Sequence, residues 1–297
     1  MKITCCWMYA IGKYGFPPNL DQTLSAIQEM ADLGFENIEL EGVGFDNLGA
    51  VIENRQHLRE SCQRAGVQVS NFAVVLPELI STDRAEMERA MVLFEEGAKT
   101  AAFLGSSFMW IDSHLPPVQV LGGTLLTDEI VFGQEYRVRI PEDFDWNLFW
   151  THFVGSVRRC NQIAKDHGLQ LLVEPRVGET TSNCEALLRL AEAVDDDNFG
   201  VILDTAHQHA QKEMLPLSVE KLGKHIRYVH VADNDGRVNW HYVPGTGTID
   251  WEGVFLALKK QGYDGYYAID LEKQPQLEEK FLESKRFLED YASRLDL

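Results

Sequence analysis

The chain has 297 residues, 45% of them hydrophobic, and a formal net charge of −19 at pH 7. So negative a chain repels polyanions, which argues against nucleic acid or an anionic membrane surface as a partner. No apolar run approaches the length of a membrane span. The length suits one large domain, and α/β barrels are commonly of this size.

Cysteine usage bears on the compartment. The chain contains five cysteines, an odd number without metal-binding spacing, and Cys5 and Cys6 are adjacent. This set predicts reduced thiols rather than disulfides, and therefore a cytoplasmic protein. The apolar run near the N-terminus is too short for a signal peptide, which agrees with that prediction.

Strand-like apolar runs alternate with amphipathic helical runs along the whole chain. The predicted strands are Ile3–Met8, Asn37–Val43, Val67–Val75, Ser107–Asp112, Leu169–Glu174, Phe199–Leu203, Ile226–Ala232 and Tyr266–Leu271. The predicted helices are Leu20–Leu33, Asn47–Arg64, Asp83–Leu104, Trp146–His167, Asn183–Val194, a short one within Leu217–Lys224, Asp250–Gln261 and Gln276–Arg294. Repeated strand–helix units predict parallel pairing through right-handed crossovers. We therefore predict a single (β/α)₈ TIM-barrel domain over residues 1–297.

Two features qualify this architecture. A doubly wound open sheet is the rival, but no G-x-G-x-x-G motif follows the first strand, which argues against the dinucleotide-binding version. The segment Ser113–Asp145 after the fourth strand breaks the rhythm and is rich in Pro and Gly. A connection of this length is usually functional, so we expect a lid over the active site, with a surface hairpin as the alternative.

The C-terminal ends of the barrel strands are where catalytic groups are expected. The last four predicted strands end on Glu174 and Arg176, Asp204 and His207, His230 and Asp233, and Asp270 and Glu272. Earlier strands end on Glu39 and Glu41, on Asn71 and Phe72, and on Trp110, Asp112 and His114. Charged groups at the ends of apolar strands are costly unless they are paired or bind metal. These ends predict a polar cavity that can hold a divalent cation; the alternative for the sixth strand is that Asp204 caps a helix and His207 is an ordinary loop residue.

Four segments, VEPR, LDTAH, VHVAD and GYDGYYAID, resemble in their order and spacing the xylose-isomerase-like TIM-barrel superfamily. The resemblance extends to GFENIELEG near the start and to PGTGTIDWEGVFLAL before the last strand. It is closest to the branch that includes D-tagatose 3-epimerase, other ketose 3-epimerases and inosose dehydratase. It implies a divalent-metal-dependent sugar isomerase or epimerase with a small sugar or polyol as substrate, and a dimer or tetramer.

The resemblance also implies site residues. The metal ligands would be Glu174, Asp204, His230 and Asp270, and the metal Mn²⁺, with Co²⁺ and Mg²⁺ as alternatives. His207 and Arg237 match substrate contacts, and we add His114, Trp110, Arg176 and Glu272 as candidate contacts. The family usually has Glu on the eighth strand, where this chain has Asp270. Glu272 points to the same side of the strand, so either carboxylate can be the ligand.

The predicted reaction is proton abstraction next to the carbonyl of a ketose or keto-polyol, through an enediolate. Glu174 is the base, Asp270 returns the proton and His207 polarises a substrate oxygen. The shorter Asp270 weakens a two-base epimerase and favours chemistry with one strong base. Elimination on a keto-sugar, inosose or keto-glycoside is the alternative, with His114 as the acid for the leaving group.

Two other functional classes are less favoured. A phosphodiesterase of the endonuclease IV type needs several metals and a histidine at the end of the third strand, where this chain has Asn71 and Phe72. A non-catalytic sugar-binding subunit is supported by Asp270, and the remaining candidate ligands argue against it.

Overall fold

The computed structural model describes residues 1–121 and 137–297, which contain ten strands. They are β1 (Lys2–Cys5), β2 (Asn37–Val43), β3 (Gln68–Val75), β4 (Phe108–Asp112), β5 (Gln119–Leu121), β6 (Arg137–Arg139), β7 (Gln170–Glu174), β8 (Phe199–Asp204), β9 (Ile226–Val231) and β10 (Tyr266–Ile269). All but β5 and β6 form a closed barrel in sequence order, in which every neighbouring pair is parallel. The predicted TIM barrel is thus confirmed.

The helices of the described residues connect the strands around the barrel. They are α1 (Met8–Tyr14), α2 (Leu20–Asp32), α3 (Gly44–Glu53), α4 (Arg55–Ala65), α5 (Arg84–Leu104), α6 (Trp146–Asp166), α7 (Cys184–Val194), α8 (Thr205–Ala210), α9 (Leu215–Leu222), α10 (Trp251–Lys260) and α11 (Leu277–Leu295), with short 3₁₀ turns at Pro77–Ile80 and Gly223–His225. Several begin at a side chain that accepts a backbone N–H, as Asp83 does for α5 and Asp250 for α10. Such caps satisfy donors that the first helical turn leaves unpaired. Among these helices none is both long and apolar enough to cross a bilayer.

The pleat of the strands separates the two sides of the barrel wall. Outward residues such as Val173 and Leu203 belong to the core under the helices. Inward residues such as Leu172 and Ile202 fill the barrel interior together with Trp110 and Tyr228. Because successive side chains alternate, the inward positions two residues later are those of Glu174 on β7 and of its counterparts on β8 to β10. The apolar filling of the barrel therefore ends where the polar groups begin.

The structure differs from the predicted elements in three places. The predicted helix Asn47–Arg64 is two helices, α3 and α4, separated at Asn54, whose backbone (φ −101°, ψ 12°) leaves the helical region. The first apolar run divides into β1 and the start of α1. The stretch after β8 is the short helix α8, with Asp204 as its N-cap. The cap at Asp204 agrees with the alternative that the sequence offered for this residue.

Part of the long connection after β4 is a hairpin. Strands β5 and β6 pair antiparallel, with Val120 opposite Val138. Residues 122–136 lie outside the described residues, so the lid stays a prediction.

Candidate metal centre and substrate cavity

Four buried side chains meet at the C-terminal end of the barrel. Glu174, Asp204, His230 and Asp270 each contribute one ligand atom, and these atoms all lie within 4.8 Å of one another. Parallel pairing brings them together, since Asp204 on β8 lies opposite His230 on β9. We call these four residues the metal group.

His230 is at the centre of the metal group. Its Nδ1 lies 2.5 Å from Glu174 Oε1, 3.8 Å from Asp204 Oδ2 and 4.0 Å from Asp270 Oδ2. Its Nε2 lies 3.2 Å from Oε1 of Glu39 on β2. Burial lowers the pKa of His230, but the charges of Glu39 and Glu174 outweigh burial and hold that pKa well above the usual value. The imidazolium thus supplies the positive charge that these carboxylates require.

The metal group has the properties of a divalent cation site. Asp204 Oδ1 accepts a hydrogen bond from the His207 backbone N–H at 2.6 Å, whereas Asp204 Oδ2 is buried with no hydrogen-bond partner among the described residues. A buried carboxylate oxygen without a partner is costly, and a cation would satisfy it. Three carboxylates and one imidazole form an oxygen-rich donor set of the kind that suits Mn²⁺ and similar ions. The residues present therefore fit a divalent cation.

Glu174 and Asp270 differ in their protonation. Burial raises the pKa of Glu174 to about 7, against the opposing effect of His230. Burial also raises the pKa of Asp270, but the charge of His241 and its hydrogen bond outweigh burial and hold that pKa well below the usual range. A carboxylate with a pKa near neutrality is suited to accept a proton, and one with a low pKa is not.

Both oxygens of Asp270 are engaged by other residues. Its Oδ2 lies 2.8 Å from Nδ1 of His241, and its Oδ1 accepts a hydrogen bond from the Cys6 thiol at 3.1 Å. Glu272 lies outside the metal group; its backbone N–H donates to the His241 carbonyl at 3.0 Å. Of the two candidate ligands after β10, the structure brings Asp270 into the metal group.

The remaining predicted contacts fall in different places. The His207 ring packs against that of His241 with centroids 4.7 Å apart, and Trp110 meets His230 edge-to-face at 5.8 Å. Arg237 is exposed in the loop after β9, and its backbone N–H bonds to Asp235. The structure therefore brings His207 and Trp110 next to the metal group and leaves Arg237 outside it.

Two residues beside the metal group were not among the predicted ligands, bases or substrate contacts. Glu39, which the sequence places at the end of the second strand, faces into the barrel from β2, because strand-end carboxylates on the inward face converge. His241 follows an irregular loop with no pattern that fixes its position. It contacts Asp270 only because Asp233 and Tyr242 pair across this loop.

A second polar cluster lies beside the first. Asp112, His114 and Glu179 each offer one ligand atom within 4.8 Å of the others, and we call these three the acceptor group. The guanidinium of Arg176 donates to Asp112 Oδ2 at 3.1 Å. Glu179 Oε2 accepts hydrogen bonds from the Ser113 hydroxyl at 3.1 Å and from the His114 backbone N–H at 2.8 Å. Because Asp112 on β4 pairs with Glu174 on β7, the acceptor group borders the metal group on the β4 side.

His114 does not have the properties of the acid that the sequence predicts. Burial lowers its pKa to about 4, so the ring is neutral at pH 7. A hydrogen bond to the Leu76 backbone opposes this effect of burial. The Nε2 atom is buried and has no hydrogen-bond partner in the described part of the chain.

The comparison with protein families agrees with this architecture. Residues 27–291 match the family described as Xylose isomerase-like TIM barrel. The chain belongs to this family. It is similar to inosose dehydratase of Clostridium botulinum (strain Alaska E43), at 22% identity over 288 residues that cover 90% of this chain and 89% of the relative.

Another relative matches over a shorter part. Fructoselysine 3-epimerase of Escherichia coli O157:H7 is 24% identical over 128 residues, 42% of this chain and 46% of that protein. The match thus spans about half the length of this relative. Both relatives are named as enzymes, one an epimerase and one a dehydratase.

Solved structures share the fold. The apo crystal structure of 3-keto-D-glucoside 4-epimerase, YcjR, from E. coli is similar with a TM-score of 0.75 at 15% identity, covering 98% of this chain and 99% of that one. The structure of the IolI protein, which has a bound zinc atom, has a TM-score of 0.70 at 19% identity and covers 99% of both chains. At these identities the likeness shows the fold.

Proposed function

We propose that the protein is a divalent-metal-dependent sugar isomerase or epimerase, which removes a proton next to the carbonyl of a ketose or keto-polyol. The observation that carries the proposal is the metal group, in which four buried donors converge at the strand ends and Asp204 Oδ2 lacks a partner. The epimerase and dehydratase names of the relatives support chemistry next to a sugar carbonyl.

Glu174, Asp204, His230 and Asp270 would hold the cation, which we propose to be Mn²⁺, with Co²⁺ or Mg²⁺ as alternatives. The zinc in the IolI structure supports a divalent cation in this fold. When bound, the ion would act as a Lewis acid that polarises the substrate carbonyl.

The residues around the cation would divide the proton chemistry. Glu174 takes the proton, because its buried carboxylate lies at the end of β7 within the metal group, beside the position of a substrate bound to the cation. His207, held near Asp204 by its backbone N–H, hydrogen-bonds a substrate oxygen. Trp110 covers the inner side of the cavity next to His230.

Elimination is the second candidate function, and one observation favours it. An epimerase needs a second proton donor on the opposite face of the substrate, and Asp270 would have that role. The two oxygens of Asp270 are already occupied by His241 and Cys6. Elimination can use Glu174 alone: it takes the proton from the carbon next to the carbonyl and gives it to the leaving oxygen as the bond from the β-carbon to that oxygen breaks, so that a keto-sugar, an inosose or a keto-glycoside loses water or an alcohol.

The first experiment measures the metal content of the purified protein by mass spectrometry, before and after chelation and add-back. We expect about one manganese or cobalt ion per chain. No metal, and none taken up on add-back, would overturn the proposal and favour a sugar-binding subunit. Two or three zinc ions per chain would favour a phosphodiesterase.

The second experiment distinguishes the reactions. The metal-loaded protein is incubated in deuterated water with ketoses, inososes and 3-keto-glycosides, and products are followed by NMR. Deuterium incorporation with a changed configuration supports the epimerase, and loss of water or of the aglycone supports the lyase. No exchange with any keto-sugar overturns both.

A further inference from the structure

We propose that the acceptor group binds a positively charged nitrogen of the substrate, so that the substrate is an aminated keto-sugar. The inference rests on the proposed function, since it names the substrate class of the same cavity. It is carried by three convergent acceptors, two of them on buried side chains with an unpartnered atom.

The acceptor group lies in an excess of carboxylates. Asp112 and Glu179 belong to it, and Glu41 on β2 is close enough for its charge to interact with that of Asp112. Arg176 is the cation whose charge interacts with all three carboxylates. One guanidinium balances one of these three groups, so ionisation of the other two would be favoured by a further cation.

Two of these carboxyl groups have raised pKa values. Burial, followed by the charge of Asp112, raises the pKa of Glu41 and that of Glu179 to about 8. Oε1 of Glu41 and Oδ1 of Asp112 are buried and accept no hydrogen bond within residues 1–121 and 137–297. A bound cation would satisfy such oxygens and would favour the ionised forms of Glu41 and Glu179, which burial and then the charge of Asp112 disfavour.

His114 is held in place to present an acceptor. Its backbone has a positive φ of 52°, which is strained for a residue with a side chain. Its carbonyl accepts hydrogen bonds from the backbone N–H and the hydroxyl of Thr180 at 2.9 and 2.8 Å, and its N–H is bonded to Glu179. His114 is only 7% exposed, and its Nε2 is unpartnered among the described residues. A ligand that donates hydrogen bonds would satisfy this buried nitrogen.

An ammonium group matches this arrangement. It has three N–H donors and no acceptor. Charge-assisted bonds of about 2.8 Å at tetrahedral angles would separate their acceptors by about 4.6 Å. One ligand atom each of Asp112, His114 and Glu179 lies within 4.8 Å of the others, an upper limit that accommodates this separation. A sugar hydroxyl, by contrast, brings one donor and no charge.

The position relative to the metal group limits where the nitrogen is in the substrate. Asp112 and Glu174 are direct partners across β4 and β7. Neighbouring strands are about 4.8 Å apart, so an ammonium at Asp112 lies within a few bonds of the carbon from which Glu174 takes the proton. The substrate would be a small keto-sugar with its amino group near the carbonyl or at the other end of a six-carbon chain.

The test uses the Mn²⁺-loaded protein and calorimetric binding of D-fructose, 1-amino-1-deoxyfructose, 6-amino-6-deoxyfructose and the neutral 1-acetamido analogue. One charge-assisted hydrogen bond corresponds to at least about a tenfold difference in affinity. We expect one amino sugar to bind at least tenfold more tightly than fructose. Asp112→Asn and Glu179→Gln should reduce this ratio towards one, whereas Glu185→Gln on the exposed side of α7 should preserve it.

Several outcomes would overturn the inference. Equal affinity for amino and neutral sugars, binding of none of them, or an unchanged ratio in folded Asp112→Asn and Glu179→Gln proteins would each do so. A second metal ion per chain that is lost in Asp112→Asn would assign the acceptor group to a metal instead. If neutral keto-sugars still undergo deuterium exchange in any of these cases, the proposed function remains supported and only the inference about the substrate fails. If the protein neither binds metal nor catalyses exchange, the proposed function is itself refuted.

Discussion

The two polar clusters at the mouth of the barrel have similar residues and different states. In the metal group a positive imidazolium lies among carboxylates, and its charge is matched within the cluster. In the acceptor group a neutral histidine lies beside Glu179, whose pKa burial, followed by the charge of Asp112, raises to about 8. The metal group thus contains its own positive charge in the metal-free protein, whereas under the inference above a ligand would bring positive charge to the acceptor group.

The largest expected effect is the loss of turnover when Glu174, the proposed base of the metal group, is replaced. Glu174→Gln keeps the side-chain shape and an oxygen donor but removes the proton acceptor, so turnover should fall by at least about 10². Deuterium exchange and metal content measure this. A Glu174→Gln protein that still binds metal and keeps full turnover would refute the base assignment. Glu185→Gln on α7 is the matched surface control.

The next effect concerns Glu39, which holds His230 from the side away from the metal group. Its carboxylate lies 3.2 Å from Nε2 and fixes the ring so that Nδ1 faces the carboxylates. Loss of such a partner typically weakens metal binding about 10- to 100-fold. We expect that loss in Glu39→Gln, measured by competition with a fluorescent chelator. Glu41→Gln, on the same face of β2, should change metal affinity far less; equal effects would contradict the role of Glu39.

The pH dependence of metal binding tests whether the imidazolium and the cation compete. Because the folded pKa of His230 is raised, a proton must leave before its nitrogen can bind metal. The dissociation constant for Mn²⁺ should therefore decrease as the pH rises from 6 to 8, by up to about tenfold per unit for each proton displaced. Titrations at fixed ionic strength measure this, and an affinity independent of pH would mean that His230 is not a ligand.

The raised pKa of a second histidine, His241, makes the stability of the metal-free protein depend on pH. Burial lowers the pKa of His241, but the charges of Asp270 and Asp204 outweigh burial and raise it to about 9. The folded protein therefore keeps a proton on His241 that the unfolded chain loses near pH 6.5. Its stabilising contribution is therefore complete below pH 6.5 and is lost as the pH rises towards 9. Denaturant unfolding of the metal-free protein should show this decline, and His241→Gln should flatten it; an unchanged slope would contradict the assignment.

The smallest effect is at Cys6, whose thiol donates to Asp270 Oδ1. Cys6→Ala removes this donor and should lower the free energy of unfolding by about 1 kcal/mol. Cys6→Ser keeps a donor and should lose less. Thermal unfolding of the two variants beside the parent protein measures the difference, and equal losses would show that packing, not the hydrogen bond, is responsible.

Much of the fold could be predicted because local patterns specify it. The period of apolar residues distinguishes strands from helices, and eight alternating units leave few topologies other than the barrel. Strand alternation then places Glu174, Asp204 and His230 at one end of the barrel, since each follows an inward apolar residue two positions earlier. These inferences need neighbours along the chain alone.

Other properties depend on contacts between distant segments. The sequence left open whether Asp270 or Glu272 joins the metal group. The position at which β10 ends and the contacts of Asp270 with Cys6 and His241, which belong to different loops, select Asp270. The neutral state of His114 follows from burial and from the charge of Arg176, which together outweigh the charge of Asp112 and a hydrogen bond to the Leu76 backbone on a separate strand end. Protonation is a property of surroundings assembled in three dimensions, so residue types and spacing identify where charges meet, and the folded barrel determines which of them keep their protons.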